Sequence, residues 1–582
     1  MPTLLINLVN QLENCYISFE CDFKRRSHNR QKISTSVVTG LIATGLNFTP
    51  VLADNHTVTT ENGAVQGRSE NGVNSWFNVP YGHSERYEAP TTPVAWQGTR
   101  DATVPGQGDI QLDSSKSTVN APVTKGLEND LTLDIYRSTT THKKLPVLVY
   151  IHGGNNQSGL STELSGTSFV KRHNAIFVSI NYRLGGLGFN PLPALKTGTK
   201  AENSGNFALL DMHQSFKWLH DNISQFGGDP DNITAAGFSA GGRDVMAMLI
   251  SPIFKNDFKK AIVFSGGMTT SSPEDAQQIF SQKLAPLVVD DGIKPDVATA
   301  KKWLLSSDAE VAAYLNNLSA ERITAQLGGD AGIRMAGFPH LYRDGYVLPK
   351  QGFNTQKYLN VPVLMTTGSQ EFSLFGLSDP YFKSAFSDGN LTGKSTIAKE
   401  FRFVNKYGGE LYQYFNVQRS AEKMTKHRTV PTYALHLDFG ADKNAIDQTS
   451  QMKLLRSFHG VFVPLLDTDN TNYKAYVGKT YQSTGAKKLA NTFQNSIYRF
   501  MTTSHPSQAK SDWLPFTGEA KNIRVLSATD KRVEQKLIHA NQSGPSIIKQ
   551  MHQDKTLTSE QKDKLIHDVL NGRWFSAPLT KW

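Results

Sequence analysis

The hexapeptide GFSAGG at residues 237–242 decides the fold of this chain. An apolar run at residues 233–236 precedes it, and a helical run at residues 245–250 follows it. Glycines flank Ser239 because a side chain would clash where a strand turns sharply into a helix. The helix N-terminus behind the serine favours negative charge that develops at this point. The stretch predicts that Ser239 is a nucleophile, and the alternative is a glycine turn with an inert serine.

Short β-rich runs alternate with helical runs on both sides of this turn. Residues 145–151, 175–180 and 361–366 are almost continuously apolar, as strands buried on both faces are. Residues 207–223 have the apolar spacing of a helix. This alternation predicts an α/β fold with a mostly parallel sheet and helices on both faces. Active sites of such sheets lie at the carboxyl ends of the strands.

Composition and charge exclude several classes of protein. The chain has 582 residues, 38% of them hydrophobic, which is enough for a large buried core. Its net charge of +10 comes from scattered basic residues, apart from one cluster at residues 24–32. We therefore expect no nucleic-acid partner, while a weak attraction to anionic cell-wall polymers or membranes is left open.

The N-terminal segment has the pattern of a signal peptide. The basic cluster precedes residues 33–53, which carry no charge and end in Val51-Leu52-Ala53. This order predicts cleavage after Ala53 and secretion, with an uncleaved anchor or a disordered leader as alternatives. We divide the chain into residues 1–53 and a single domain at residues 54–582. Two helical, cap-like insertions are expected within that domain, at about residues 273–330 and 378–429, and the second is expected to be peripheral.

The sequence contains no motif for a disulfide framework, for nucleotide binding or for a zinc site. The only cysteines, Cys15 and Cys21, precede the basic cluster, so the mature protein would contain no disulfide. The phosphate-binding loop, the dinucleotide fingerprint and the HExxH zinc motif do not occur. We expect no cofactor, no metal and no stable membrane insertion.

The chain resembles the type-B carboxylesterase family, which includes cholinesterases and bacterial para-nitrobenzyl esterases. The resemblance runs from about residue 57 to residue 517. It rests on segments that occur in the family's order, at residues 63–67, 77–81, 128–136, 181–184, 205–211 and 226–230. It implies the α/β-hydrolase fold and hydrolysis of carboxylic esters through an acyl-enzyme.

A glycine-rich loop follows the strand at residues 145–151 and reads His152-Gly153-Gly154-Asn155. By similarity to the family, the backbone N–H groups of Gly154, Asn155 and Ala240 form the oxyanion hole. Many members have a third glycine where this chain has Asn155. Asparagine tolerates unusual backbone angles, so this donor should survive. Its side chain is expected to narrow the pocket and to reject bulky alcohol groups.

The general base cannot be chosen by spacing, because the chain contains sixteen histidines. Phe458-His459-Gly460, with Val463-Pro464 after it, resembles the histidine loop of the family, which implies that His459 is the base. The alternatives are four other histidines of the expected mature chain, His340, His427, His436 and His505.

The acid of a triad in this fold lies between the serine and the histidine in chain order. Glu371, in Gly368-Ser369-Gln370-Glu371, follows the strand at residues 361–366 and resembles the acid segment of the family, although with shorter spacing. Asp344 is the competitor. A carboxylate here would hold the tautomer of His459 and stabilise its charge.

Two residues beside the serine depart from the family's pattern. Phe238 stands where many members have glutamate, and Asp244 stands where many have a serine near the triad. We expect Asp244 to form hydrogen bonds near Glu371 and so to perturb the pH profile.

The sequence thus predicts a secreted serine carboxylesterase that acts on small-molecule esters, with Ser239, Glu371 and His459 as its triad. A lipase or lysophospholipase of the same fold is the first alternative. A non-catalytic, cholinesterase-like binding protein is the second. The natural ester and the oligomeric state are left open.

Overall fold

A computed structural model describes residues 56–118, 121–140, 142–329 and 337–582. The expected signal peptide, with its cleavage site after Ala53, lies outside these residues. The division of the chain into one leader and one domain stays a prediction.

The strands of the described chain are short at the N-terminus and longer in the centre. In chain order they are β1 (Thr57–Thr60), β2 (Gly63–Gln66), β3 (Arg68–Glu70), β4 (Val73–Pro80), β5 (Thr99–Asp101), β6 (Gln111–Leu112), β7 (Thr124–Lys125), β8 (Thr132–Ser138), β9 (Leu145–Ile151), β10 (Ile176–Ile180), β11 (Gly228–Phe238), β12 (Lys260–Phe264), β13 (Val363–Gly368), β14 (Thr432–Leu437), β15 (Asn522–Ala528) and β16 (Val533–His539).

The α-helices of the described chain lie between and after these strands. In chain order they are α1 (Thr167–Arg172), α2 (Gly185–Gly188), α3 (Phe207–Asn222), α4 (Ala240–Met248), α5 (Pro273–Asp290), α6 (Val297–Leu304), α7 (Ala309–Asn317), α8 (Ala320–Leu327), α9 (Phe372–Ser378), α10 (Pro380–Ser387), α11 (Thr396–Gln413), α12 (Ser420–Met424), α13 (Met452–Leu455), α14 (Val463–Leu466), α15 (Lys474–Val477), α16 (Thr484–Thr503), α17 (Gly544–Gln553) and α18 (Ser559–Leu565).

Eleven of the described strands form one central sheet, in the order β16-β15-β14-β13-β12-β11-β9-β10-β8-β4-β3. Every pair from β10 through β9, β11, β12, β13 and β14 to β15 is parallel. The pairs at both ends are antiparallel. The predicted mostly parallel sheet is therefore confirmed, and its antiparallel ends carry the strands nearest the two chain ends.

The sheet separates two hydrophobic cores. In β9 all seven residues are buried, and alternate side chains enter opposite cores. Val147, Val149 and Ile151 belong to one core, and Leu148 and Tyr150 belong to the other. Each fully buried aliphatic side chain stabilises the fold by about 1.5–3 kcal/mol. Because both faces are covered, this strand is a continuous apolar run in the sequence.

The two predicted insertions differ in their position. Residues 273–329 contain α5 to α8, and Gly186 in α2 lies so close to α8 that an added Cβ would meet Leu327 at 2.4 Å. Residues 378–429 contain α10, α11 and α12, and a π-helical turn at Tyr414–Arg419 separates the last two. This second insertion was expected to be peripheral, and that expectation is wrong, because α11 reaches the candidate site described below.

A helix near the C-terminus begins at a well-defined N-cap. Thr558 caps α18 with a reciprocal capping box that includes Gln561. The helix continues as a π-helical turn, Ile566–Leu570, and the chain turns at Gly572, which has a φ of 76°. In the part of the chain that the structure describes, no helix is both long enough and apolar enough to cross a membrane.

Candidate active site

Ser239 occupies the sharp turn between β11 and α4. Its φ of 55° and ψ of −113° are strained for a residue with a side chain. Its N–H donates to the carbonyl of Phe264 at 2.9 Å, which holds the turn against the neighbouring strand β12. A Cβ on Gly241 would lie 2.2 Å from the carbonyl oxygen of Ile151, and one on Gly237 would lie 2.2 Å from that of Gly241. The glycines of the motif are therefore required by sterics.

The helix α4 begins at Ala240, five residues before the start expected from the sequence. Glycine has a low helix propensity, so Gly241 and Gly242 made the helix appear to start later in the sequence than it does in the structure. Gly241 packs closely against the end of β9, and Gly242 packs against Phe264 at the end of β12. The early start points the helix N-terminus at Ser239, where it favours negative charge.

The loop after β9 lies directly beside the serine. A Cβ on Gly153 would be 3.1 Å from the Cβ of Ser239. Gly154 has a φ of 92°, and Asn155 has a φ of 57°, a left-handed conformation that asparagine adopts more readily than most residues. The backbone N–H groups of Gly154, Asn155 and Ala240 have no acceptor among the described residues. They are available to a substrate oxygen.

The side chain of Asn155 is buried and tied to its neighbours. Its Nδ2 donates to Oε1 of Gln157 at 2.7 Å, and its Oδ1 accepts from Nη2 of Arg243 at 2.8 Å. The Nε2 of Gln157 donates in turn to the carbonyl of Leu327 at 2.6 Å, which links the loop to helix α8. The effect of Asn155 on the size of the alcohol group stays a prediction.

Glu371 and His459 form a buried pair that packs against Phe238, the residue before the serine. Oε2 of Glu371 is hydrogen-bonded to Nδ1 of His459. Oε1 of Glu371 accepts from the N–H of Gly368 and from Oγ of Ser265, both at 2.5 Å, and from Oγ1 of Thr367 at 3.0 Å. Donors to both oxygens compensate the burial of the carboxylate.

The imidazole of His459 is oriented by packing as well as by the carboxylate. Its ring centroid is 4.6 Å from that of Phe238 and 4.8 Å from that of Phe375. Nε2 of His459 is buried and has no hydrogen-bond partner among the described residues, including Oγ of Ser239. Catalytic hydrogen bonds are often long or misaligned until substrate binds. Phe238, where many relatives have glutamate, thus supplies a packing surface for this ring.

Asp344, the competing candidate for the acid, stabilises a turn. Asp344 accepts hydrogen bonds from the backbone N–H groups of Tyr346, Val347 and Leu348, and from Nδ2 of Asn206. It therefore organises its own turn and makes no hydrogen bond to a histidine among the described residues.

The alternative histidines are engaged elsewhere. His340 is bonded to the carbonyl of Phe338, and burial lowers its pKa well below the ordinary value. Burial lowers the pKa of His436 to about 4. His427 stacks on Tyr358, and His505 contacts Ser507. Among the described residues, none of the four is hydrogen-bonded to a carboxylate.

Three residues that contribute to this pair were not predicted from the sequence. Ser265 directly follows β12 and donates to Glu371; its place at the carboxyl end of a central strand was a signal that could have found it. Tyr412, in the insertion expected to be peripheral, places its hydroxyl 3.3 Å from Nδ1 of His459 and donates to the carbonyl of Ser265 at 3.2 Å. Trp574, near the C-terminus, packs against Phe375. Nothing in the local sequence marks Tyr412 or Trp574.

Asp244 does not interact as the sequence led us to expect. Its Oδ1 accepts from Nδ2 of Asn156 at 2.9 Å, and no hydrogen bond joins it to Glu371 among the described residues. Ser265 provides the hydroxyl at Glu371 instead. Burial raises the pKa of the Asp244 carboxyl to about 7, against the opposing effects of the Asn156 hydrogen bond and the charge of Arg243.

Within the described residues, no group of three or more histidines, cysteines and carboxylates is placed to hold a metal ion. The expectation that the protein needs no cofactor stays a prediction.

Comparison with known proteins gives the family. The carboxylesterase family profile matches residues 54–401, which include Ser239 and Glu371. The para-nitrobenzyl esterase of Bacillus subtilis (strain 168) is 36% identical over 491 residues, which cover 81% of this chain and 94% of that protein.

Solved structures agree in fold. A carboxylesterase of Geobacillus stearothermophilus superposes with a TM-score of 0.63 at 24% identity, over 83% of this chain and 97% of that one. A PNB esterase gives the same TM-score at 23% identity, over 86% and 99%. The predicted α/β-hydrolase fold is thereby confirmed. The chain belongs to the carboxylesterase family and is a carboxylic ester hydrolase.

Proposed function

We propose that this protein hydrolyses carboxylic esters by two-step acyl transfer, with Ser239 as nucleophile, His459 as general base and Glu371 as the residue that orients it. One observation carries the proposal. The imidazole of His459 is held at Nδ1 by Glu371, while Nε2 has no partner among the described residues, beside the strained turn at Ser239. This is the arrangement of a base whose tautomer is fixed before substrate arrives.

The first step forms the acyl-enzyme. Nε2 of His459 takes the proton from Oγ of Ser239, and that oxygen attacks the ester carbonyl. The tetrahedral intermediate collapses as His459 returns the proton to the leaving alcohol. In the second step His459 takes a proton from water, the hydroxide attacks the acyl carbon, and Ser239 regains the proton as the acid leaves.

The backbone N–H groups of Gly154, Asn155 and Ala240 hold the negative oxygen of both intermediates. These N–H groups have no acceptor among the described residues, which supports this role. Each oxyanion donor of this kind lowers the activation barrier by about 3 kcal/mol. The two loop residues have positive φ values, a conformation that glycine and asparagine tolerate better than other residues.

The substrate is proposed to be a small-molecule ester. The similarity to a para-nitrobenzyl esterase makes para-nitrobenzyl and short para-nitrophenyl esters the first compounds to assay. We also propose secretion after cleavage behind Ala53, on the strength of the basic cluster and the uncharged segment that follows it. The N-terminal mass of exported protein tests this, and an N-terminus before residue 33 would refute it.

The mechanism is tested by intercepting the acyl-enzyme. Rapid mixing with para-nitrophenyl acetate should release a burst of about one nitrophenol per active site. Mass spectrometry should then place the acyl group, or an organophosphate label, on Ser239. Ser239→Ala should lower kcat by about 10⁴-fold or more while the folded protein is retained. A label on another residue, or an unchanged rate in a folded variant, would refute the proposal.

A further inference from the structure

A buried guanidinium lies beside the proposed oxyanion loop. Arg243 is in the first turns of α4, four residues after Ser239, and only 1% of its surface is exposed. Its Nη2 donates to Oδ1 of Asn155 at 2.8 Å. Asn155 is one of the three proposed oxyanion donors, so a side chain on the nucleophile's own helix restrains that donor directly.

Burying this cation beside a helix N-terminus is unfavourable, because both desolvation and the helix dipole oppose it. The pKa of the Arg243 guanidinium is accordingly lowered by burial, although arginine stays protonated at neutral pH. An aromatic face opposes that cost. The guanidinium carbon of Arg243 lies 4.8 Å from the ring centroid of Trp574. Such stacking contributes most where water is excluded.

Trp574 is itself fixed in place. Its ring centroid is 5.4 Å from that of Tyr412 and 5.6 Å from that of Phe375, and both of these rings also pack on His459. The adjacent Arg573 forms a buried ion pair with Asp379 at 2.9 Å. The segment that follows α18 is thus anchored against the candidate site, although it lies outside the stretch matched by the family profile.

We propose that Arg243 and Trp574 are positioning residues for ester hydrolysis. Trp574 holds the guanidinium of Arg243, and Arg243 holds the carboxamide of Asn155, which keeps the N–H of Asn155 aimed at the substrate oxygen. The proposal rests on the oxyanion role given to Asn155 above. It makes the C-terminal segment of this esterase a part of its active site.

A positioning role differs from simple packing in what it changes. If the N–H of Asn155 is misaligned, the transition state is destabilised more than the bound ester, so kcat falls and KM changes little. A loss of packing alone lowers thermal stability and has no reason to lower kcat more than it changes KM.

The experiment compares two substitutions of similar size at one position. Trp574→Phe keeps an aromatic face for the guanidinium, and Trp574→Leu keeps an apolar side chain without one. With para-nitrophenyl acetate, we expect Trp574→Leu to lower kcat about tenfold with KM changed by less than about threefold. Trp574→Phe should retain most of kcat, because the face of the ring provides the attraction. Equal kcat values for the two variants would overturn the proposal.

Arg243→Lys tests the next link. It keeps the buried charge but loses the planar fork that reaches Asn155, so kcat should also fall about tenfold. The double variant with Trp574→Leu should be little worse than either single variant, because both act through one interaction. A kcat of Arg243→Lys within about twofold of the parent, or fully additive losses, would overturn the proposal.

Trp582 provides the matched control. It also lies in the C-terminal segment, but it stacks on His552 at 4.1 Å and donates to Asp563, away from Arg243. Trp582→Ala should leave kcat within about twofold of the parent. An equal loss from this variant would mean that the segment acts only through stability. Labelling of Ser239 in every variant keeps the two proposals separable, since it tests the nucleophile independently of the alignment of Asn155.

Discussion

The two sides of the candidate site are built differently. On the serine side, Ser239 and the donor at Ala240 are adjacent in the chain, and backbone sterics shape their turn. On the histidine side, Glu371 and His459 are separated by 88 residues and meet only through contacts among several elements. The comparison teaches that the turn at the proposed nucleophile can be specified by a few glycines, whereas the proposed base and its acid depend on the packing of distant segments.

The largest expected effect comes from removing the base on the histidine side. His459→Ala should lower kcat by about 10⁴-fold or more, because the serine then has no proton acceptor. Steady-state hydrolysis of para-nitrophenyl acetate measures this. His427→Ala, at an exposed histidine that stacks on Tyr358, should retain activity. Combining His459→Ala with Ser239→Ala should add little further loss, and independent losses would show that the two sides do not act as a unit.

The next effect tests the steric basis of the serine side. Gly241→Ala would place a Cβ 2.2 Å from the carbonyl oxygen of Ile151, so the turn must shift. We expect kcat to fall by about 10²–10³-fold and the free energy of unfolding to fall by about 3 kcal/mol. Denaturant unfolding and the esterase assay measure both.

Gly518 is the control for that substitution, because an added Cβ there meets nothing within 4 Å. Gly518→Ala should leave kcat and stability nearly unchanged. If Gly241→Ala behaves like this control, the steric account of the turn is wrong.

A smaller effect is expected from the hydroxyl that supports the acid. Ser265→Ala removes one of three donors to Oε1 of Glu371 and leaves those of Gly368 and Thr367. Because two donors remain, kcat should fall only about tenfold. Ser373→Ala is matched, since its buried hydroxyl donates to the carbonyl of Leu455 instead. Equal losses in the two variants would show that Ser265 acts through general packing.

The smallest effect on turnover should come from Asp244→Asn, since this carboxyl bonds to Asn156 and not to Glu371. We expect kcat within about threefold of the parent and an unchanged pH profile. Stability should respond to pH instead. The pKa of Asp244 is raised to about 7 in the folded protein, from an ordinary value near 4.

Between these two pKa values the folded state holds a proton that the unfolded chain has released. The parent therefore loses stability as the pH rises from about 4 to about 7, and the loss levels off above that. Asp244→Asn lacks this proton, so its stability relative to the parent should increase across the window by up to about 4 kcal/mol. Urea unfolding at pH 5 and at pH 8 samples the upper two pH units of this window and should show about 3 kcal/mol of the change. If the free energies of unfolding of Asp244→Asn and the parent differ by the same amount at pH 5 and at pH 8, the raised pKa of Asp244 is contradicted.

The sequence predicts more about the serine side of the candidate site than about the histidine side. Ser239 can be proposed as the nucleophile from its own neighbours, because a strand, two glycines and a helix leave few alternatives. Glu371 and His459 needed the resemblance to the family, since sixteen histidines are present and no spacing selects one. The expectation that Asp244 bonds near Glu371 is wrong, because successive residues of a helix point in different directions and Asp244 reaches Asn156 instead. Which hydroxyl faces Glu371 depends on where β12 ends beside β13.

The sequence by itself determined the alternation of strands and helices, the continuous apolar character of β9, and the turn at Ser239. These features depend on local sterics and on burial of both faces of the sheet, which leave a periodic pattern in the chain. Tertiary structure alone decided that Tyr412 and Trp574 lie against the site and that Arg243 holds Asn155. Such contacts join segments that are distant in sequence, and their side chains are ordinary until folding brings them together and excludes water between them.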